Sequence, residues 1–156
     1  YSRQPQSLVY SFSATFAKST EEFTEENNNY SNDSKNEFYN IQFTPQIVPM
    51  NRGILSNIYF DANVTRAEIL SILQEYYNKH YFVYVLDGAD APTTRDVLGT
   101  NQCRMAVFNG RKSGKFIITS VIDNLVKGAA GQAMQNFNIM FDFSEFTGLD
   151  SIALFP

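Results

Sequence analysis

Asp123-Asn124-Leu125-Val126-Lys127-Gly128-Ala129-Ala130-Gly131-Gln132-Ala133-Met134-Gln135-Asn136 decides how the rest of the chain is read. It follows the apolar run Phe116-Ile117-Ile118-Thr119-Ser120-Val121-Ile122 with no obvious loop between them, so a β-rich segment feeds directly into a helix. Asp123 and Asn124 suit the N-cap, where a side-chain oxygen accepts from the free amides of the first turn. Ala130, Ala133, Met134, Phe137 and Phe141 recur at three- and four-residue spacing, which places them on one helical face. Gly128 and Gly131 are unexpected there, because a glycine inside a helix costs about 1 kcal/mol against alanine. Something must therefore approach the first turns closely, either a packed neighbour or a ligand or cofactor at the helix start.

The chain of 156 residues, 44% of them hydrophobic, is read as a single domain over 1–156. A domain of that size buries roughly 70% of the surface its unfolded chain exposes. A net charge of −4, with no cluster of Lys and Arg, argues against a nucleic-acid surface, which needs concentrated positive charge. No apolar run approaches the roughly 20 residues of a membrane-spanning helix, and Tyr1-Ser2-Arg3-Gln4-Pro5 lacks the zones of a signal peptide. The single cysteine, Cys103, excludes an internal disulfide framework and fits a reducing compartment, so a cytoplasmic location is expected. With His80 as the single histidine, no Cys/His metal site is expected either.

Outward from the helix, the spacing predicts these elements. Residues 8–17 read as a strand. Residues 24–40 are polar and Asn-rich and read as a loop or insert, since Asn, Asp and Ser bond their own backbone in turns. Phe43-Thr44-Pro45-Gln46-Ile47-Val48-Pro49-Met50-Asn51-Arg52-Gly53 reads as a stiff, irregular segment, because each proline pushes its predecessor extended. Its Arg52 is either a site residue or a solvated surface cation. Ile54 to Phe60 reads as a strand. Thr65-Arg66-Ala67-Glu68 is a capping box that opens an amphipathic helix over 66–79, with Ile69, Leu70, Leu73, Tyr76 and Tyr77 on one face. Tyr81 to Leu86 is a strand, and Asp87 to Gln102 a long irregular loop of the kind that often carries function. Arg104 to Phe108 and Lys115 to Val121 flank Asn109-Gly110-Arg111-Lys112-Ser113-Gly114 as a hairpin with a basic tip. In the tail, Leu149, Ile152, Leu154 and Phe155 pack as a last strand or loop. The element order predicts α+β architecture, a mixed and largely antiparallel sheet with helices on one face, which would bury the apolar faces of both amphipathic helices.

Spacing alone names no reaction. No phosphate loop, dinucleotide fingerprint, nucleophile elbow or zinc-type histidine pair is present. Cys103 has no base beside it, since Gln102 and Arg104 supply none, and it reads as a strand-start packing residue. His80, between helix and strand with no partner motif nearby, reads as a helix-end residue.

Three ordered segments carry a resemblance. Asp123 to Phe141 looks like the signature helix of N-acetyl-γ-glutamyl-phosphate reductases. Phe43 to Leu55 resembles that family's FTPHLxPMxRGIL segment, and Pro92-Thr93-Thr94-Arg95-Asp96-Val97-Leu98-Gly99-Thr100-Asn101-Gln102-Cys103 its P-x-T-x-x-V-x-G-[ST]-N-x-C segment. The resemblance spans about residues 41–143. An aspartate-semialdehyde dehydrogenase is a more distant relative, similar in the helix but not in the FTP segment.

The resemblance implies a carboxy-terminal domain like that of glyceraldehyde-3-phosphate dehydrogenase, which binds substrate and dimerises. It implies an NADPH-dependent enzyme of arginine biosynthesis that reduces N-acetyl-glutamyl phosphate and forms a homo-oligomer. Its cofactor and catalytic cysteine are held by a separate Rossmann domain. Arg52 and Arg95 would then bind a substrate anion, while Asn124, Gly128 and Gly131 would shape a cofactor-facing helix start. Against the family pattern, Gln46 stands where a histidine is usual, and the family's His-Arg-His-x-Pro-Glu segment is replaced by the Asn-rich stretch. With neither the family cysteine nor the family histidine, no residue here is assigned a catalytic role, and the chain alone is expected to be inactive. It is therefore expected to be either the domain of such an enzyme or a non-catalytic interaction module that keeps the fold to oligomerise.

Overall fold

The computed structural model describes residues 9–18, 39–88 and 90–153. Among these residues, six strands and two α-helices follow in the order β1 (Val9–Lys18), β2 (Tyr39–Val48), β3 (Ile54–Asp61), α1 (Arg66–Tyr77), β4 (Val83–Leu86), β5 (Cys103–Asn109), β6 (Lys115–Ile122) and α2 (Gly131–Met140). A short 3-10 turn, Thr94–Val97, lies between β4 and β5, and a π-helical turn, Val126–Ala130, leads into α2. The strands form one sheet in the order β2-β1-β3-β6-β5-β4. β1 with β3 and β4 with β5 are parallel, and the other three pairings are antiparallel. The architecture is α+β around a mixed, largely antiparallel sheet.

Local chemistry explains α1. The Thr65 hydroxyl accepts from the Glu68 amide at 3.2 Å, and the Glu68 carboxylate accepts from the Thr65 amide at 2.7 Å. Behind this cap, Ile69 packs on Val107 of β5 and Phe116 of β6, with Phe60, Ala62, Leu73 and Ile118 around them. Burying a side chain such as Ile69 is worth about 1.5–3 kcal/mol, so this cluster anchors α1 to the sheet. The hairpin with the basic tip forms as its spacing predicts, closed by Gly110 N donating to Lys115 O at 2.6 Å.

Several boundaries differ from the sequence reading. The helix predicted over 66–79 stops at Tyr77, and the strand predicted over 81–86 begins at Val83. The segment from Phe43 is not irregular at its start, because residues 43–48 belong to β2, and Tyr39 and Asn40 of the Asn-rich stretch open that strand. Pro45 is accommodated because β2 is the outer strand of the sheet, where one side of the backbone needs no ladder partner. The rest of the Asn-rich stretch, 24–38, lies outside the described residues, as do Leu154 and Phe155. Up to Ala153 the tail forms no strand.

Candidate functional site at the end of the sheet

Strand register assembles the site. Ile54 pairs with Ile122 across β3 and β6, so the residues just before β3, Arg52 and Gly53, meet those just after β6, Asp123 and Asn124. Cys103 also pairs with Ile122, which brings the segment before β5 to the same end. Asp123 is fully buried where the three segments converge. Its carboxylate accepts from the Arg52 Nε (3.0 Å to Oδ1, 2.8 Å to Oδ2), from Gly99 N at 2.7 Å, from Leu125 N at 2.8 Å and from Val126 N at 3.1 Å. Burial pushes its pKa up, but the Gly99 amide, the Arg52 guanidinium and the Leu125 and Val126 amides outweigh that and hold it below the ordinary carboxylate range. A buried charge is tolerable when it is this fully hydrogen-bonded.

Asp123 therefore takes the N-cap role, whereas Asn124 does not. The Asn124 Oδ1 accepts instead from Gly53 N at 2.8 Å. Gly53 must be glycine, since its φ is +117° and a Cβ there would lie 2.6 Å from the Thr94 Cβ. Thr94 thus packs against the Arg52–Gly53 corner, and Arg95, the next residue, is exposed on the 3-10 turn. Arg52 is not a freely solvated cation. Its Nε is committed to Asp123, while neither terminal nitrogen has a partner among the described residues.

The helix behind this corner differs from its sequence reading. It begins with a π-helical turn, in which Gly128 N donates to Asp123 O at 2.9 Å and Ala130 N to Leu125 O at 3.2 Å. Such wide turns often occur at functional sites. Met134, Phe137 and Phe141, expected to face the core, are exposed. The buried face is Gly131, Gln135 and Asn138. Asn101 Nδ2 and Lys127 Nζ both donate to Gln135 Oε1, at 2.8 and 2.7 Å. Gln135 Nε2 donates to Glu145, and Asn138 Nδ2 to the carbonyls of Glu145 and Thr147. Partial burial pushes the Lys127 ammonium pKa down, against the opposing pull of Cys103 and Glu145.

The two glycines separate. A Cβ on Gly131 would lie 2.4 Å from Asn101 Oδ1 and 2.8 Å from Val126 O, so a packed neighbour explains this glycine. Gly128 is exposed and its Cβ would meet nothing closer than 3.5 Å, so packing does not explain it. Cys103 opens β5 with its sulfur 3.4 Å from the Ser120 hydroxyl, and exposed His80 packs its ring against Tyr76 and Tyr77. Among the described residues no group of three His, Cys, Asp or Glu could hold a metal, and no helix is long and apolar enough to cross a membrane. The structure thus brings Arg52 and Asn124 together, sets Arg95 nearby, and adds Asp123, Asn101 and Gln135. The polar spacing of Gly131, Gln135 and Asn138 was the available signal for the buried face. The Arg52 partner had no such signal, because it lies 71 residues away. With Arg52 and Asn124 each held by one polar end, the donors left over suit an oxyanion or a carbonyl oxygen.

Residues 11–124 match the family described as semialdehyde dehydrogenase, dimerisation domain, and the chain belongs to that family. Among individual proteins, it is 46% identical over 123 residues to N-acetyl-gamma-glutamyl-phosphate reductase of Desulfotalea psychrophila, covering 78% of this chain and 36% of the relative. It is 48% identical over 118 residues to the protein of that name from Geobacter metallireducens, covering 74% and 34%. The chain thus spans about a third of the length of these curated relatives. Aspartate semialdehyde dehydrogenase II of Vibrio cholerae, solved in complex with ASA, shares the fold with a TM-score of 0.50 and 24% identity, over 61% of this chain and 29% of that one.

Proposed function

We propose that this chain is the substrate-binding and dimerisation domain of an NADP-dependent N-acetyl-γ-glutamyl-phosphate reductase, working as a cytoplasmic homo-oligomer in arginine biosynthesis. The observation that carries the reading is the Arg52–Asp123 pair at the sheet end, next to the Gly53–Asn124 contact, with the terminal guanidinium nitrogens left without a partner among the described residues. In this reading Arg52 binds an anionic group of N-acetyl-glutamyl phosphate, with Arg95 as a second cation on the adjacent turn. Asn124 presents its amide nitrogen to the cofactor, and Gly128, where nothing crowds a Cβ, leaves the helix start open to it. Gly131 acts indirectly, by letting α2 seat on Asn101. The reduced nicotinamide supplies a hydride when bound, and in this reading the nucleophilic cysteine would come from the nucleotide-binding domain.

A second reading is a non-catalytic oligomerisation module, favoured by the family's description as a dimerisation domain. One experiment decides between them. The chain is mixed with the separately made nucleotide-binding domain of the Geobacter relative, and NADPH oxidation is followed with the acyl phosphate. The enzymatic reading expects activity that Arg52→Gln lowers about 10- to 100-fold, the loss of a charge-assisted hydrogen bond. A stable dimer with no activity in any mixture overturns it.

A further inference from the structure

Among the described residues Arg52 is gripped along one edge only. Its Nε reaches both oxygens of Asp123, at 3.0 and 2.8 Å, while 32% of the side chain stays exposed and the terminal nitrogens meet no partner there. Asp123 is itself held by amides on two other stretches of chain, Gly99 before β5 and Leu125 and Val126 at the start of the π-helical turn. A guanidinium recognises carboxylate or phosphate through a planar fork of donors, so its orientation decides whether that fork is formed. A carboxylate needed only as a helix cap would be satisfied by the two amides of the first turn. This one faces away from the helix as well and fixes an arginine.

We infer that Asp123 is a positioning residue, which holds the Arg52 guanidinium by Nε so that its two terminal nitrogens meet a substrate oxyanion in a set orientation. The inference rests on the reading of Arg52 as an anion ligand given above. Asp123 touches no substrate and acts only through Arg52.

NMR of the labelled full chain, titrated with inorganic phosphate, reads the guanidinium and the anion separately. In the wild type, rotation about the Arg52 Nε–Cζ bond is expected to be hindered, and phosphate to shift its terminal nitrogens saturably. In Asp123→Asn, with the amide spectra of β3 and β6 retained, that rotation becomes free and phosphate binding at Arg52 weakens at least tenfold. Arg52→Lys, which keeps the charge but loses the planar fork, weakens binding to the same degree. Unchanged guanidinium signals and unchanged phosphate affinity in Asp123→Asn overturn the inference. If that variant does not fold, a freely rotating Arg52 in the wild type, or full phosphate binding by Arg52→Lys, overturns it instead. A fixed guanidinium without any phosphate response sinks the anion-ligand reading, and a mobile guanidinium with a response sinks the positioning role alone.

Discussion

Helix α1 buries Ile69 and Leu70, with Ile69 packed on the sheet, and leaves Glu75 in solvent together with Ile72 and Tyr76, the last against its expected place on the packed face, whereas α2 buries Gly131, Gln135 and Asn138 and exposes Met134, Phe137, Ile139 and Met140. Both are amphipathic at helical spacing, yet they seat opposite faces. For α1 the favourable term is apolar area removed from water. For α2 it is a set of hydrogen bonds that lets amides enter the interior, since a partnered buried amide costs far less than an orphaned one. The difference teaches that a hydrophobic stripe locates a helix without deciding which side this chain covers. A stripe left open on a folded domain marks a surface that other groups meet.

The comparison breaks first at Asp123, which anchors the polar side. Asp123→Ala strands the Arg52 guanidinium and the amides of Gly99, Leu125 and Val126, and it should cost about 3–5 kcal/mol in urea unfolding. A loss below about 1 kcal/mol, within the range of an ordinary surface change, would mean the polar anchor carries no weight. The pH dependence follows the same contact. Because the folded state lowers the Asp123 pKa, the carboxylate contributes stability at pH above the ordinary range of an aspartate, and that contribution is lost as pH falls through the lower folded value. Asp123→Ala should therefore lack this part of the acid limb.

A smaller effect comes from the two glycines of one segment. Gly131→Ala forces a Cβ onto Asn101 and Val126 and should cost about 1–3 kcal/mol, the usual range for overpacking. Gly128→Ala meets no close atom and should be neutral or stabilising by up to about 1 kcal/mol. Thermal melts of both variants check the pair, and equal losses would remove the distinction between them. The smallest effect belongs to the exposed stripe. Phe137→Ser, which removes a half-exposed ring packed on Phe141 and Phe143, should cost no more than about 1 kcal/mol. A loss near that of a buried phenylalanine would show that α2 seats its apolar side after all.

Much of this was legible from local chemistry. The Thr65–Glu68 cap, the β5–β6 hairpin and the Asp123 cap each depend on residues close in sequence, and each is found. Arg52 could be singled out as a candidate, but its fate turned on Asp123, which strand register alone brings to it. The buried face of α2 was misread because apolar spacing was weighed and polar spacing was not. Residues 43–48 were misread because two prolines looked like breakers, a rule that fails on the outer strand of a sheet.

That outer strand has a consequence of its own. Among the described residues no strand covers the outer edge of β2, which carries exposed Ile41, Phe43 and Ile47, the arrangement on which chains polymerise by adding strand to strand. Pro45 sits among them and can offer no N–H to an incoming strand. The edge therefore interrupts its own template midway, which works against endless extension of the sheet.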